Sequence, residues 1–339
     1  MSQSKKIDFL SIGDVFNDIF IELEDANVTC DINHANCTIS MKFADKIPYK
    51  KATAVLGVGN AGNAAVSAAR LGLNTGLLTF IGKDSDGEKI FDYFNDEGIS
   101  RDLISQDATL PTNVAYVLQY GPERTILVKQ EAYPYTVPTS ELDANTPSWI
   151  YLTSIGKSAL GFQHELVEWI TKHPEVQLAF QPGTFQLKAG KSELSDVYAR
   201  TNILFCNQEE SARILEVDSI ETSDALIKLS QLGPKVVVIT DGPKGAHAYD
   251  SETKEMWSVP MYPDIKDPVD RTGAGDAFAS TVVAALALGK PLSEALIWGP
   301  INSMSVVQEI GAQKGLLSQE KILSYLDDAP GNYGAKKIG

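Results

Sequence analysis

The segment Asp270-Arg271-Thr272-Gly273-Ala274-Gly275-Asp276 runs straight into the apolar stretch Ala277 to Leu288. A glycine-rich turn that opens a helix leaves backbone N–H groups unpaired and pointing outward. With the helix dipole, they favour a phosphate or a developing anion. Gly273 and Gly275 let such a group come close to the backbone. Asp276 starts the helix, where the same N–H groups are expected to favour its ionised form. A carboxylate beside an anion pocket can take the proton of an attacking hydroxyl. The Lys-Ser/Thr pair that ends a P-loop is missing, so this is a different kind of turn. Read alone, the segment fits equally well a glycine turn with an ordinary acid at a helix start.

Two other clusters invite chemistry of different kinds. Gly57-Val58-Gly59-Asn60-Ala61-Gly62 is a literal G-x-G-x-x-G, followed by a helical pattern and a strand, with Asp84 near the place of a ribose-binding acid. An NAD-dependent oxidoreductase is therefore the rival enzyme class. Against it, an earlier strand precedes the fingerprint, which also leaves the turn at Gly273 to Gly275 without a purpose. Cys30, His34 and Cys37 are close enough to raise a zinc site, but structural zinc takes four protein ligands and no second cluster supplies the rest. Cys206 brings the count to three, so the cysteines cannot all pair within one chain. With a polar start from Met1 to Lys6 and no secretory core after it, the expectation is a cytoplasmic protein with reduced thiols.

These residues need a scaffold, and the hydrophobic pattern supplies one. Ile7 to Ile12, Gly76 to Ile81, Trp149 to Thr153, Val176 to Phe180, Ile203 to Cys206 and Val236 to Thr240 read as buried strands. Ala61 to Leu71, Gly87 to Glu97, His164 to Lys172, Gln208 to Leu215 and Ser223 to Leu232 read as helices between them. Alternation of this kind predicts an α/β fold, a mostly parallel sheet with helices on both faces. Two regions break the rhythm: Phe16 to Glu24 with Cys37 to Phe43, and Thr112 to Tyr120 with Arg124 to Gln130. Neither pair has a helix between its members. They predict a small β flap contributed by residues 15–50 and 111–131 of a single domain spanning 1–339. Gly245 to Tyr249 and Glu255 to Val259 read as an edge hairpin, and the tail 329–339 as mobile.

Bulk composition narrows the function classes. With 43% hydrophobic residues, 339 residues can bury a large core. The net charge of −15 argues against a broad phosphate-binding surface for nucleic acid. No apolar stretch is long enough to cross a bilayer.

The Asp270 to Phe278 stretch, DRTGAGDAF, resembles the C-terminal signature of the PfkB family, the ribokinase-like sugar and nucleoside kinases, and the resemblance runs from about Ile7 to Leu317. It implies a ribokinase-like fold and ATP-dependent phosphorylation of a hydroxyl on a small molecule, with Mg2+. Gly273, Ala274 and Gly275 would form the anion hole and Asp276 would be the base. In the early motif Gly13-Asp14-Val15-Phe16-Asn17-Asp18, Asp18 would bind substrate hydroxyls. Gly59, Asn60 and Asn63 would line the substrate site. Asn207 to Glu210 matches an Asn-x-x-Glu motif for magnesium and phosphate handling, with Glu210 acting on magnesium indirectly. Thr240, Gly242 and Gly245 resemble a loop near the nucleotide phosphates. Potassium held by main-chain oxygens near Asp270, Thr272, Val306, Glu309 and Gly311 is a further implication.

Departures from the family pattern bear on the substrate. Val58-Gly59 stands where two adjacent glycines are usual, Phe16 replaces a polar residue, and only Ser154-Ile155-Gly156 follows the strand near Thr153 where ribokinases carry a sugar-binding carboxylate. Phe43 and Tyr49 in the flap add aromatic surface. A small sugar is the expected acceptor, with a ribonucleoside as the alternative. A non-catalytic binding protein on this fold is a weaker reading, since none of the landmark residues is lost. The exposed flap edges suggest a homodimer.

Overall fold

The computed structural model of the protein describes residues 6–30, 37–121 and 123–338. Ten strands form the main sheet. In spatial order they are Lys336–Lys337, Met256–Val259, Ala246–Asp250, Val236–Thr240, Ile203–Asn207, Gln177–Phe180, Trp149–Leu152, Phe9–Ile12, Thr75–Gly82 and Ile104–Asp107. From Val236–Thr240 to Ile104–Asp107 every neighbouring pair is parallel, and the remaining edge is antiparallel. Phe9–Ile12 and Thr75–Gly82 are buried at every residue, as expected where helices cover both faces. One apolar core packs under the helices Leu160–Lys172 and Thr222–Ser230, another under Ala274–Ala287 and Leu292–Val306. The strand and helix alternation read from the pattern is present.

The flap is a separate four-stranded sheet in the order Tyr49–Val58, Phe16–Leu23, Val114–Tyr120, Glu123–Lys129. Its first insertion extends to Val58 rather than stopping at residue 50. The partner of Phe16–Leu23 on this side is Tyr49–Val58, not the Cys37 segment. Lys50 and Lys51 made the start of Tyr49–Val58 too polar to stand out, because that half of the strand is largely exposed. Cys37–Ser40 pairs instead with Asn27–Cys30 as a small hairpin of its own. That register sets Cys30 opposite Cys37 with Cα atoms 4.0 Å apart, and the two are joined in a disulfide. The expectation of reduced thiols is thereby corrected for this pair, while Cys206 is free and buried. His34 lies outside the described residues, and bonded sulfurs are no longer the thiolates that zinc requires.

Tail residues 330–338, expected to be mobile, are held. The Tyr333 hydroxyl donates to the Ile297 carbonyl at 2.5 Å, the Tyr333 and Tyr262 rings meet edge to face at 5.0 Å, and Lys336–Lys337 extends the sheet. One aromatic anchor outweighed the glycines and lysines around it. Among the described residues no helix is long and apolar enough to cross a membrane.

Candidate active site

Residues singled out above, joined by Gln181, which was not, lie at the carboxyl ends of the parallel strands. Gly13 follows Phe9–Ile12, Gln181 follows Gln177–Phe180, and Asn207 and Thr240 end their own strands. The crevice beyond such ends is where open α/β sheets take ligands. Two cavities lie there. The first, about 670 Å³, sits under the flap, with Phe16, Asp18, Asn60, Asn63, Gln181 and Asp276 in its wall. The second, about 310 Å³, has Thr240, Gly242, Gly245, Met261, Pro300 and Val307 in its wall. Thr240, Arg271, Ala274, Gly275 and Phe278 belong to both, so the first turn of helix Ala274–Ala287 stands where the cavities meet.

Local sterics fix that turn. Gly273 caps the helix at φ 78°, and a Cβ there would fall 2.3 Å from the Ala312 Cβ. Gly275 faces the cleft, since a Cβ on it would meet only Gln181 Nε2, at 3.8 Å. Asp276, one residue on, is buried, yet its carboxylate is gripped by three side-chain amides. Asn60 Nδ2 donates to Oδ1 at 2.8 Å, Asn63 Nδ2 to Oδ2 at 2.8 Å, and Gln181 Nε2 to Oδ1 at 3.2 Å. The Tyr151 hydroxyl bonds Gln181 Oε1 and so sets which end of that amide faces the acid.

The electrostatics differ from the sequence expectation. Burial pushes the Asp276 carboxyl above its usual range, and the amides of Asn63, Gln181 and Asn60 pull it only partly back. Asn60 and Asn63, assigned by resemblance to the substrate, thus contact the acid as well as lining the cleft. They come from the N-terminus of helix Asn60–Arg70, which Gly59 caps at φ 99°, where a Cβ would also lie 2.8 Å from the Asp14 carbonyl. Gln181 and Tyr151 were missed; only the position of Gln181 just after an apolar run could have flagged it, while Tyr151 lies inside a buried strand.

The literal G-x-G-x-x-G serves packing. Its preceding strand, Tyr49–Val58, is an antiparallel flap strand rather than the first strand of a parallel βαβ unit. A Cβ on Gly62 would fall 2.0 Å from the Gly57 carbonyl oxygen. Asp84 caps the helix Ser85–Asp96, accepting from Gly87 N at 2.8 Å. The dinucleotide reading has no support left.

Asp18 lies on flap strand Phe16–Leu23, two residues from Phe16, so both side chains share the cleft face. A register shift against Tyr49–Val58 falls between them. Burial, then the nearby charge of Asp270, pushes the Asp18 carboxyl up to about 6. Phe43 is 99% exposed and neither it nor Tyr49 lines the cleft, so the aromatic lining expected from them is absent; Ile126 and Val128 stand beside Phe16 instead.

Asn207 and Glu210 form a reciprocal cap at the start of helix Gln208–Leu215. Asn207 Oδ1 accepts from Glu210 N at 2.8 Å, and Glu210 Oε2 from Asn207 N at 2.9 Å. Both also line the larger cavity, and burial raises the Glu210 carboxyl, with Asp276 among the charges that push the same way. Thr240 and Gly242 reach the second cavity with Gly245, whose φ of 86° and closeness to the Val259 carbonyl (2.2 Å from a Cβ) exclude a side chain. The 270–272 and 306–311 segments, expected to offer main-chain oxygens, do come together. Asp270 N donates to the Val307 carbonyl at 3.1 Å, Gly311 N to Asp270 Oδ2 at 3.1 Å, and Val306 O already accepts from Glu309 N at 3.1 Å. Glu309's carboxylate is engaged with Lys266 and Lys314, which hold it below its usual range. Among the described residues no group of three or more His, Cys, Asp or Glu could hold a metal ion.

Asp14 sits at the junction between sheet and flap. It is buried, accepts from the Tyr135 hydroxyl at 2.9 Å and from Gln130 Nε2, and burial pushes it from 3.8 to about 6. A carboxyl raised on folding binds more protons in the native state. Its contribution is therefore fully present below the unfolded value and is lost as pH rises through the folded one. Wild-type unfolding free energy should fall across that window, by up to roughly 3 kcal/mol from this group. Asp14→Asn should flatten the slope. Urea titrations at successive pH values check this, and equal slopes in the two proteins would count against a protonated Asp14.

Residues 30–319 match the pfkB family carbohydrate kinase domain. A cytidine kinase of Thermococcus kodakarensis is 29% identical over 257 residues, 75% of this chain and 88% of the relative. A Bacillus subtilis ribokinase is 26% identical over 272 residues, 78% and 85% of the two chains. The structure of Arabidopsis thaliana ribokinase complexed with ribose and ATP superimposes with a TM-score of 0.80 at 22% identity, covering 94% of this chain and 98% of that one. The architecture is therefore ribokinase-like, and with a match over most of its length the chain belongs to the pfkB family of carbohydrate kinases, phosphotransferases that act on an alcohol group of a sugar or nucleoside.

Proposed function

We propose that the protein transfers the γ-phosphoryl group of ATP to a hydroxyl of a ribonucleoside. One observation carries the reading: two cavities meet at the first turn of helix Ala274–Ala287, with the Asp276 carboxyl beside the junction. The smaller cavity has the apolar lining that a base needs, from Met261, Phe278, Pro300, Met304 and Val307, with Thr240, Gly242 and Gly245 at its rim. The larger one takes the acceptor. Asp276 removes the acceptor proton, its carboxylate held in place by Asn60, Asn63 and Gln181. Backbone N–H groups at Gly273, Ala274 and Gly275 stabilise charge on the group in transit. Asp18 accepts from substrate hydroxyls, and the flap excludes water.

The absence of a protein metal cluster among the described residues suits magnesium, which binds mainly through phosphates and retained waters. Glu210 and Asn207 would act on it indirectly. Potassium held by main-chain oxygens of the 270–272 and 306–311 segments belongs to the same reading, supported by the closeness of the two segments. The exposed outer face of the flap, with Tyr116 and Leu127, suits a second copy. A cytoplasmic setting fits ATP as donor, and reduction of the Cys30–Cys37 link would leave the cleft intact, because neither residue lines it.

For the acceptor, Phe16, Val58, Ala115, Ile126 and Val128 make one wall of the cleft apolar, which suits the flat face of a base. A free sugar is the second reading, favoured by the likeness to a ribose-bound ribokinase. ADP release with MgATP against cytidine, other nucleosides, D-ribose and sugar phosphates separates them. Nucleosides should turn over, and Phe16→Asn should raise their KM about tenfold by removing apolar contact. Brisk turnover of D-ribose with no nucleoside accepted at millimolar concentration would reject the nucleoside reading.

A further inference from the structure

Arg124 stands on Glu123–Lys129, the outer strand of the flap, opposite Gln119. Its guanidinium lines the cleft and crosses to the main body, where Nη1 lies 3.4 Å from Asp270 Oδ1. The arginine is 37% exposed and the aspartate only 6%. Asp270 is already the knot of its neighbourhood. Oδ1 also accepts from Thr272 N at 2.9 Å and Thr272 Oγ1 at 2.6 Å, and Oδ2 accepts from Gly311 N. Those bonds shape the run into Gly273, where a Cβ would fall 2.3 Å from that of Ala312. One carboxylate therefore joins the flap, the glycine turn and the 307–312 loop.

We infer that Arg124 is a positioning residue for phosphoryl transfer: by pairing with Asp270 it couples seating of the flap over the cleft to the shape of the turn at Gly273 to Gly275. An exposed ion pair contributes little, but this one has a buried acid whose other partners are Thr272, at the turn, and Gly311. When the flap lifts, Asp270 loses a cation while Asp18, whose carboxyl it already disfavours, also moves away. The turn is then held by fewer constraints. Water entering an open cleft meets a poorly formed anion hole, so transfer to the proper acceptor is favoured over hydrolysis.

The activity arm of the test rests on the kinase reading; the exchange arm does not. Amide hydrogen exchange on the full chain compares wild type with Arg124→Met, Arg124→Lys, Asp270→Asn and the Arg124→Met/Asp270→Asn pair. Arg124→Met should speed exchange in the flap strands and, about tenfold, at residues 272–276 and 309–312 in the main body. Arg124→Lys should recover most of the loss, and the double variant should exchange there no faster than Asp270→Asn alone. With cytidine and MgATP, kcat should fall about tenfold while KM for ATP stays within about twofold, and ADP release should exceed cytidine phosphorylation. Unchanged exchange at 272–276 and 309–312 in Arg124→Met overturns the coupling, since a merely local role would loosen the flap alone. If wild type leaves every acceptor untouched, the kinase reading fails, and the exchange comparison still upholds or overturns the coupling.

Discussion

Asp276→Asn should lower turnover by about 10²–10⁴ while leaving the fold and ATP binding nearly intact. The amide is isosteric with the carboxylate but cannot accept a proton, so the loss falls on the chemical step. The three donors around it make the outcome specific. Asn60, Asn63 and Gln181 all point N–H groups at Asp276, and a new amide must turn one of its own N–H groups toward at least one of them. Some local rearrangement is therefore expected, at a modest cost in stability, since an unsatisfied buried donor costs about 1–3 kcal/mol. Burial raises the carboxyl above its usual range, so in wild type the fall of kcat on acidification, as the base becomes protonated, should begin at a higher pH than an ordinary carboxylate would give. That limb should vanish from the residual rate of the variant. Steady-state kinetics across pH, beside nucleotide titration by calorimetry, measure both. Near-normal turnover would remove Asp276 from the mechanism.

How much of this was legible in the chain depends on the range of the interaction. The turn at Gly273 was readable because its demands are local: a positive φ, a backbone that nothing larger may crowd, and an apolar helix directly after it. The buried strands were readable because a sheet covered on both faces needs continuous apolar runs. Tyr49–Val58 was not, because this flap strand is exposed over half its length and opens on two lysines, and its apolar residues, Ala52 to Val58, run straight into the glycine cluster. The grip on Asp276 was hidden for another reason. Asn63 and Asp276 are 213 residues apart and Gln181 and Asp276 95 apart, and only the sheet order brings them together. The sequence pattern could place an acid at a helix start. It could not show that burial would raise its pKa, since that burial comes from segments remote in the chain, helix Asn60–Arg70 and Gln181 among them. Asn207 and Glu210 illustrate the converse, a local motif whose hydrogen bonds are fully explained as a helix cap even though the pair also faces the cleft.

Asp18→Ala should raise the acceptor KM by about 100-fold, with nucleotide affinity changed by less than about twofold. Asp18 sits on the flap side of the larger cavity and does not line the smaller one, which is why the two affinities should separate. A carboxylate accepting two substrate hydroxyls makes charge-assisted bonds of about 1.5–3 kcal/mol each, and a factor of 100 needs only about 2.7 kcal/mol. The neighbouring charges sharpen the expectation. Asp270 disfavours the Asp18 carboxylate, and removal of Asp18 relieves that repulsion, so the free protein should be no less stable and the loss should appear in binding alone. The pH dependence follows with a definite sign. With its carboxyl at about 6, Asp18 accepts poorly below that value, so wild-type acceptor KM should climb as pH drops through it. In the alanine variant acceptor KM should be high and flat over the same range. Thermal unfolding of both proteins, with kcat and KM measured for each substrate between pH 5 and 8, provides the comparison. An unchanged acceptor KM would make Asp18 a flap residue with no part in recognition, and the register shift beside it a feature of strand geometry alone.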